Sequence, residues 1–387
     1  MTLIYLDNNT TAPPSPEVIR AMTPLLTTYW GSPMTPHQKG EELYPFLSKF
    51  YTTIYTCLGA QPNDQLVITS SGAEAVTHVI SSIYRDVTLA TGKNQFITSQ
   101  LDEAASIMTI THLEPFGCVG KMGETMNGII SIEKLANSLS PRTALVSLSL
   151  ANGLTGVVQP ISEIATLCKE RGIRLHVDIT HAFGKLDCQF ETLGVDYLTL
   201  HGEQIHGPRG VGILLVKQGI QCSPLIFGSA DQGGMRAGSI PMANLAGIAC
   251  ALEEAIENRD FLCTETARLR NQLERGILKG FPSASVCFKK QERVPHCTTI
   301  FFPGIANESL LFSLHRKGIC ATIGGGNFQQ LGILLSSAGI QQPLANQAIS
   351  FSLSRYTTEE EIERAIPLIV ESAKTLSSLS YPSFSIA

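Results

Sequence analysis

DYLTLHGEQIHGPRGVGILLV, Asp196 to Val216, runs from an apolar segment through a glycine-, histidine- and proline-containing turn into a second apolar segment, Val211 to Val216. Read by pattern, it is strand, exposed loop, strand. The loop holds His201, Glu203, Gln204, His206 and Arg209 between two strands that have every reason to be buried. Polar loops on buried scaffolds are where chemistry is carried. No lysine occurs between Lys185 and Lys217.

Outward from this stretch, apolar strand signals recur near 65–69, 95–98, 143–149, 173–178, 196–200 and 211–216. They alternate with helical patterns near 73–84, 104–112, 131–138 and 160–171. Strands alternating with helices of this length imply a mainly parallel sheet covered on both faces. Before it lie two polar elbows, YLDNNTTAPPSPEV and GSPMTPH, and an amphipathic segment from about Gly40 to Leu58; Ser15-Pro16 opens a helix. From about Asn244 to Gly280 apolar residues keep helical spacing, with neither glycine nor proline between Ile248 and Arg275, which predicts one long connecting helix. Strand signals at 284–288, 296–303, 318–323 and 347–353, with helices near 308–317 and 357–377, then describe a smaller α+β unit.

The 387 residues suffice for two cores, and 43% hydrophobic with 16% charged residues fits a globular chain. A net charge of -5 gives no basic footprint for nucleic acid. Ten scattered cysteines without a CxxC pair, and no leader-like start, predict free thiols in a reducing cytoplasm. No apolar run reaches the roughly 18 residues that a membrane span needs.

In open parallel sheets ligands bind beyond the carboxyl ends of the strands. ITSSGAEA, Ile68 to Ala75, leads a strand into Ser70, Ser71 and Gly72 and then a helix; such a start binds a phosphate, or is simply a serine N-cap. RLHVDITHAFGK, Arg174 to Lys185, ends a strand at Asp178, with His181 three residues on. That carboxylate is placed to hold the protonated ring nitrogen of a cofactor such as pyridoxal phosphate, the alternative being a capping aspartate beside a core histidine.

Together YLDNNTTAPPSPEV, GSPMTPH, ALVSLSLANGLTGVVQPI, LHVDITHAFGK, HGPRGVG and SFSLSRYTTEEEIERA make nearly the whole chain resemble class V aminotransferase-fold proteins of the cysteine desulfurase group. The resemblance implies an α/β protein of the pyridoxal-phosphate-dependent transferase fold (fold type I) that forms a homodimer. A large mainly parallel-sheet domain would span 14–245. Residues 1–13 and 246–387, including the long connecting helix, would form a smaller α+β domain.

It also implies roles for single residues. Asp178 matches the aspartate under the pyridine nitrogen and Asn152 the asparagine at the ring oxygen. Ser70, Ser71 and Gly72 match the phosphate turn, with Ala73 in place of a threonine. His201 joins the cofactor contacts, and Ser239 stands for a hydroxyl offered to the partner's phosphate. Other positions depart from the pattern. Gln204 stands where the Schiff-base lysine is expected, Glu103 at the stacking histidine and His181 at the ring-oxygen glutamine. Asn327 falls at the persulfide cysteine and Ser350 at the carboxylate-binding arginine, while Arg355 matches a structural arginine and Cys320 reads as core.

An amide forms no Schiff base. The expectation is therefore a desulfurase-like chain that has lost its activity, a regulatory or partner-binding homologue in sulfur or iron-sulfur metabolism, with pyridoxal phosphate bound, if at all, without a covalent link. The alternative is an active enzyme releasing sulfur from L-cysteine, or transforming another amino acid, with non-covalently held cofactor and His201, His206 or Glu203 as acid or base. A third reading is a module for another phosphorylated ligand. No metal, nucleic acid or membrane partner is expected.

Overall fold

The computed structural model describes residues 3–325 and 330–380. Its centre is a seven-stranded sheet: β1 Gln65–Thr69, β2 Gln95–Ser99, β3 Val119–Gly123, β4 Thr143–Ser149, β5 Arg174–Asp178, β6 Tyr197–His201 and β7 Gly212–Val216. The spatial order is β1-β7-β6-β5-β4-β2-β3. β7 runs antiparallel to both its neighbours, and the pairs β6/β5, β5/β4, β4/β2 and β2/β3 are parallel. Every residue of β2, β4 and β7 is buried. That is why these segments read as largely apolar or small-residue runs: strands covered on both faces have no solvent side to alternate with. The α/β architecture expected from the sequence is the one observed.

The described helices include α1 Pro16–Thr27, α2 Gly72–Ile83, α3 Ala104–Leu113, α4 Met242–Glu257, α5 Ala267–Gly280, α6 Asn307–Arg316 and α7 Glu359–Ser380. One apolar cluster joins Ile68, Val146, Val177, Leu198 and Ile213 of the sheet to Val18 of α1 and Leu245 of α4. A second packs Val67, Phe96, Leu145 and Leu214 against Val79 and Ile80 of α2.

The expected single helix over 244–280 is broken. α4 ends at Asn258, whose backbone leaves helical angles (φ −93°, ψ 6°) and whose side-chain amide donates to the Glu254 carbonyl. A side chain that satisfies one of the last carbonyls competes with continuation of the helix. A short turn and a π-helical stretch at Leu262–Thr266 then re-aim the chain into α5.

The C-terminal part has a three-stranded antiparallel sheet, β8 Ser285–Val286, β9 Cys297–Phe301 and β10 Ala348–Ser352. Its core combines Leu273 and Ile277 of α5, Leu310 of α6 and Ile362 and Ile369 of α7 with Ile4 and Leu6 from the beginning of the chain. Ile4–Tyr5 pairs in parallel with Ile319–Cys320, and Asp7 bridges Ser352. Ile4 and Leu6 therefore lie in this core, and Asn9, a few residues on, reaches the loop at the edge of the large sheet.

Candidate active site

β1, β2, β4, β5 and β6 all end on the same edge of the sheet, and the antiparallel β7 begins there. Above that edge is a cavity of about 280 Å³, bordered by Asn9, Thr10, Leu101, Asp102, Glu103, Asn152, His181, His201, Gln204 and, from the C-terminal part, Gly324, Gly325 and Leu334. Segments distant in sequence converge on the place the strand topology dictates.

Asp178 ends β5 and is 8% exposed. Its Oδ1 accepts the Thr180 backbone N–H at 2.9 Å and its Oδ2 the Thr199 hydroxyl at 2.7 Å. Because that hydroxyl proton is committed to Asp178, His176 Nε2 must donate to Thr199 Oγ1 (2.9 Å), leaving His176 Nδ1 to accept from Ser147 (2.8 Å). Burial pushes the His176 imidazole down to about 4, so it stays neutral. The network holds both Asp178 oxygens as acceptors, which suits a side chain that faces a protonated ring nitrogen.

His181 Nε2 lies 3.1 Å from Glu103 Oε1, while His181 Nδ1 is buried without a partner. Gly153 lies so close that a Cβ there would come within 2.5 Å of the His181 ring. Asn152 is spent differently from the sequence expectation. Its Oδ1 accepts from Leu154 N, Thr155 N and Thr155 Oγ1, and its amide donates to the Leu101 carbonyl at 2.8 Å. It ties a turn together and has one amide proton left for the cavity.

At the start of α2, Ser71 Oγ accepts from Glu74 N, so the cap is real. The Ser70 N–H donates to the Glu74 carboxylate, which also pairs with Arg236. Gly72 is required where it stands: a Cβ would meet the His201 ring at 2.5 Å. That ring lies over the helix start, and burial lowers its pKa, so it is neutral at neutral pH. Ser239 is exposed and borders a separate surface hollow with Trp30 and His37; within one chain it does not reach this cavity.

Gln204 sits on a single 3-10 turn, Glu203–Ile205, closed by left-handed His206 (φ 63°). It is 8% exposed; its amide donates to the Asn9 and Thr10 carbonyls at 3.2 and 3.3 Å, and its Oε1 is buried without a partner. The other loop residues turn away. Glu203 contacts Thr11 and Arg209, and His206 binds the Pro13 carbonyl, with burial pushing its pKa down to about 4. Neither borders the cavity, so of the three acid–base candidates only His201 remains. Ser350 is 1% exposed in mid-β10, donates to the Leu154 carbonyl at 2.6 Å and does not border the cavity. Arg355 pairs with Glu254 at 2.7 Å. Cys320 is half-buried in its short strand. Asn327 lies outside the described residues.

Four residues at or behind the cavity escaped the sequence reading: Asn9, Asp102, Lys185 and His296. Asp102 is buried yet accepts from Ser149 N, Ser99 N and Thr98 Oγ1, binding the Glu103 loop to β2 and β4. Desolvation raises its carboxyl to about 7. Since the unfolded chain would titrate near 4, the folded state holds a proton that the unfolded state releases. Stability should therefore fall as pH rises from about 4 to about 7, by at most about 4 kcal/mol. Asp102→Asn should flatten that segment of a pH series of urea midpoints; an unchanged slope would locate the dependence elsewhere.

A family profile for aminotransferase class V matches residues 4–365. The chain belongs to the class V aminotransferase family. It is 35% identical over 386 residues to a cysteine desulfurase of Trichormus azollae, covering 98% of this chain and 95% of that one. It is 32% identical to the cysteine desulfurase NifS of Azotobacter vinelandii, covering 97% and 95%. A solved structure of a NifS-like protein superposes with a TM-score of 0.91 at 26% identity, covering 97% of this chain and all of that one. These relatives overturn the expectation of a chain that has lost its activity: similarity of this extent to proteins named as desulfurases favours the active alternative.

The family depends on pyridoxal phosphate, and the residues present fit its ring. Asp178 is an acceptor through both oxygens, His181 Nδ1 and Gln204 Oε1 are buried atoms without partners, and the α2 N-terminus lies beside His201. Among the described residues bordering the cavity none is a lysine. No described helix is long and apolar enough to cross a membrane.

Proposed function

We propose that this chain is a pyridoxal-phosphate enzyme of the cysteine desulfurase type, acting on L-cysteine or a closely related amino acid with its cofactor held non-covalently. The observation that carries the reading is the Asp178 side chain, kept as an acceptor by Thr180 and Thr199 beside a cavity at which His181 Nδ1 and Gln204 Oε1 are buried without partners. When bound, the cofactor supplies an electron sink for a substrate carbanion.

The chain does the rest. Asp178 would hold the ring nitrogen, His181 and the spare Asn152 amide proton would serve the ring oxygen, and the α2 N-terminus with Ser71 would take the phosphate. His201, neutral because burial disfavours its charge, can receive a proton. In this reading Gln204, Glu103 and Ser350 occupy positions where the family's lysine, histidine and arginine act. The enzyme is accordingly slow, and working as a cytoplasmic homodimer belongs to the same proposal.

Equilibrium dialysis with pyridoxal phosphate, followed by sulfide and alanine assays with L-cysteine, tests it. Saturable binding, release of both products and loss of binding in Asp178→Ala are expected. No binding, or binding without turnover of any amino acid offered, would sink it.

A further inference from the structure

Behind the 3-10 turn that carries Gln204 lies a second, smaller cavity of about 20 Å³, bordered by Lys185, Gln204, His206, His296 and Arg355 among others. Lys185 is 4% exposed. Its ammonium donates to the Gln204 main-chain carbonyl at 3.5 Å, a long bond that leaves most of its donor capacity unused. Arg355 is already paired with Glu254, and His206 Nδ1 with the Pro13 carbonyl.

His296 is 2% exposed, and its tautomer can be derived. The Asn9 amide donates to the Gly153 carbonyl at 2.6 Å, so Asn9 Oδ1 is the acceptor facing His296 Nε2 at 2.7 Å. Nε2 therefore carries the proton, and Nδ1 is a buried lone pair with no partner. A surplus donor and an orphan acceptor border one hole, and about 10–15 Å³ is enough for a water with such partners.

We propose that one internal water joins Lys185 Nζ to His296 Nδ1, and that Lys185 thereby positions the wall of the cofactor cavity. The bonds form a closed circuit. The Gln204 amide is held by the Asn9 carbonyl, the Asn9 side chain by His296, His296 through the water by Lys185, and Lys185 by the Gln204 carbonyl. Lys185 touches neither substrate nor cofactor; it fixes both ends of Gln204 and the orientation of Asn9. Around its ammonium stand the Cys188 and Cys297 thiols, His206, His296 and the Arg355–Glu254 pair. Desolvation lowers Lys185 to about 8, so its charge, and with it the hold on the wall, is lost as pH rises through that region.

The positioning role rests on the functional reading above, whereas the water bridge does not, and the experiment separates them. In full-length protein labelled with [13C]lysine, one Cε resonance should titrate near pH 8. His296→Leu should lower its midpoint by removing the acceptor that steadies the ammonium, and added pyridoxal phosphate should raise it. Lys185→Met should weaken pyridoxal phosphate binding about tenfold, the usual cost of removing an outer support. It should also abolish the pH dependence of that binding between 7 and 9. His296→Gln, which keeps a donor for Asn9 and an acceptor for the water, should retain wild-type affinity. A Lys185 midpoint indifferent to His296→Leu overturns the bridge, and wild-type affinity with an unchanged pH profile in Lys185→Met overturns the positioning role. If Lys185→Met does not fold, the titrations of the other proteins decide the bridge, and the effect of the cofactor on the wild-type midpoint decides the positioning role. Failure of the wild-type protein to bind the cofactor overturns the functional reading, and the His296→Leu titration still decides the bridge.

Discussion

Gln204→Lys is expected to raise turnover of L-cysteine by on the order of 100- to 10 000-fold, the range contributed by a well-placed acid–base group. On the proposed reading an amine is needed where this side chain lies: its amide reaches the Asn9 and Thr10 carbonyls, and its carbonyl oxygen has no partner. A lysine is one atom longer, keeps donors for the same carbonyls and removes an acceptor whose burial costs free energy. The variant should fold at least as well as wild type, and borohydride should fix its cofactor to residue 204, visible as a mass shift on that peptide. Wild-type protein should show no such shift. A variant that binds the cofactor covalently yet gains no rate would mean that Glu103, Ser350 or the loop outside the described residues limits the reaction. A variant with no covalent link would mean that the cofactor does not occupy this cavity in the assumed orientation.

Glu274→Ala should cost about 3–5 kcal/mol of stability, the usual penalty for breaking a buried charge cluster from one side. Glu274 Oε1 on α5 accepts from both terminal nitrogens of Arg293 at 3.1 Å and from the Thr298 hydroxyl at 2.7 Å, with Arg270 Nε at 3.8 Å. The three side chains are only 8–12% exposed. Without the carboxylate, two guanidiniums repel each other with little water to screen them. The expected readout is a lower urea midpoint at unchanged slope. Arg293 also bridges Val157, and Val158 N–H donates to the Glu292 carbonyl, so the damage should spread to the Asn152 turn and weaken cofactor binding as well. A midpoint within about 1 kcal/mol of wild type, the value of an exposed pair, would show that solvent reaches the cluster.

How much of this was legible in the sequence follows from burial. β4, β5, β6 and β7 announce themselves because both faces are covered. β3, Val-Gly-Lys-Met-Gly, does not, because as the edge strand it exposes four of its five residues at least partly and carries no apolar run. Asp178 and His201 were findable from strand ends, and the phosphate turn from its serines. Asn9 and His296 were not, since their meaning is a contact 287 residues apart in sequence. Lys185 was in plain view within LHVDITHAFGK, but nothing local distinguishes a buried lysine from a surface one. The inference of lost activity came from weighing single replaced residues, and the similarity spread over the whole chain outweighs it.

The first strand has a consequence for how the protein is made. Ile4 pairs with Ile319, Asp7 with Ser352, and Asn9 with His296, so residues 4–9 wait for partners made some three hundred residues later. At about 5–20 residues per second that wait is roughly 15–70 s. During synthesis the large sheet can form while one wall of its cavity is missing, so ligand capture is deferred until the segment that carries His296 has been made.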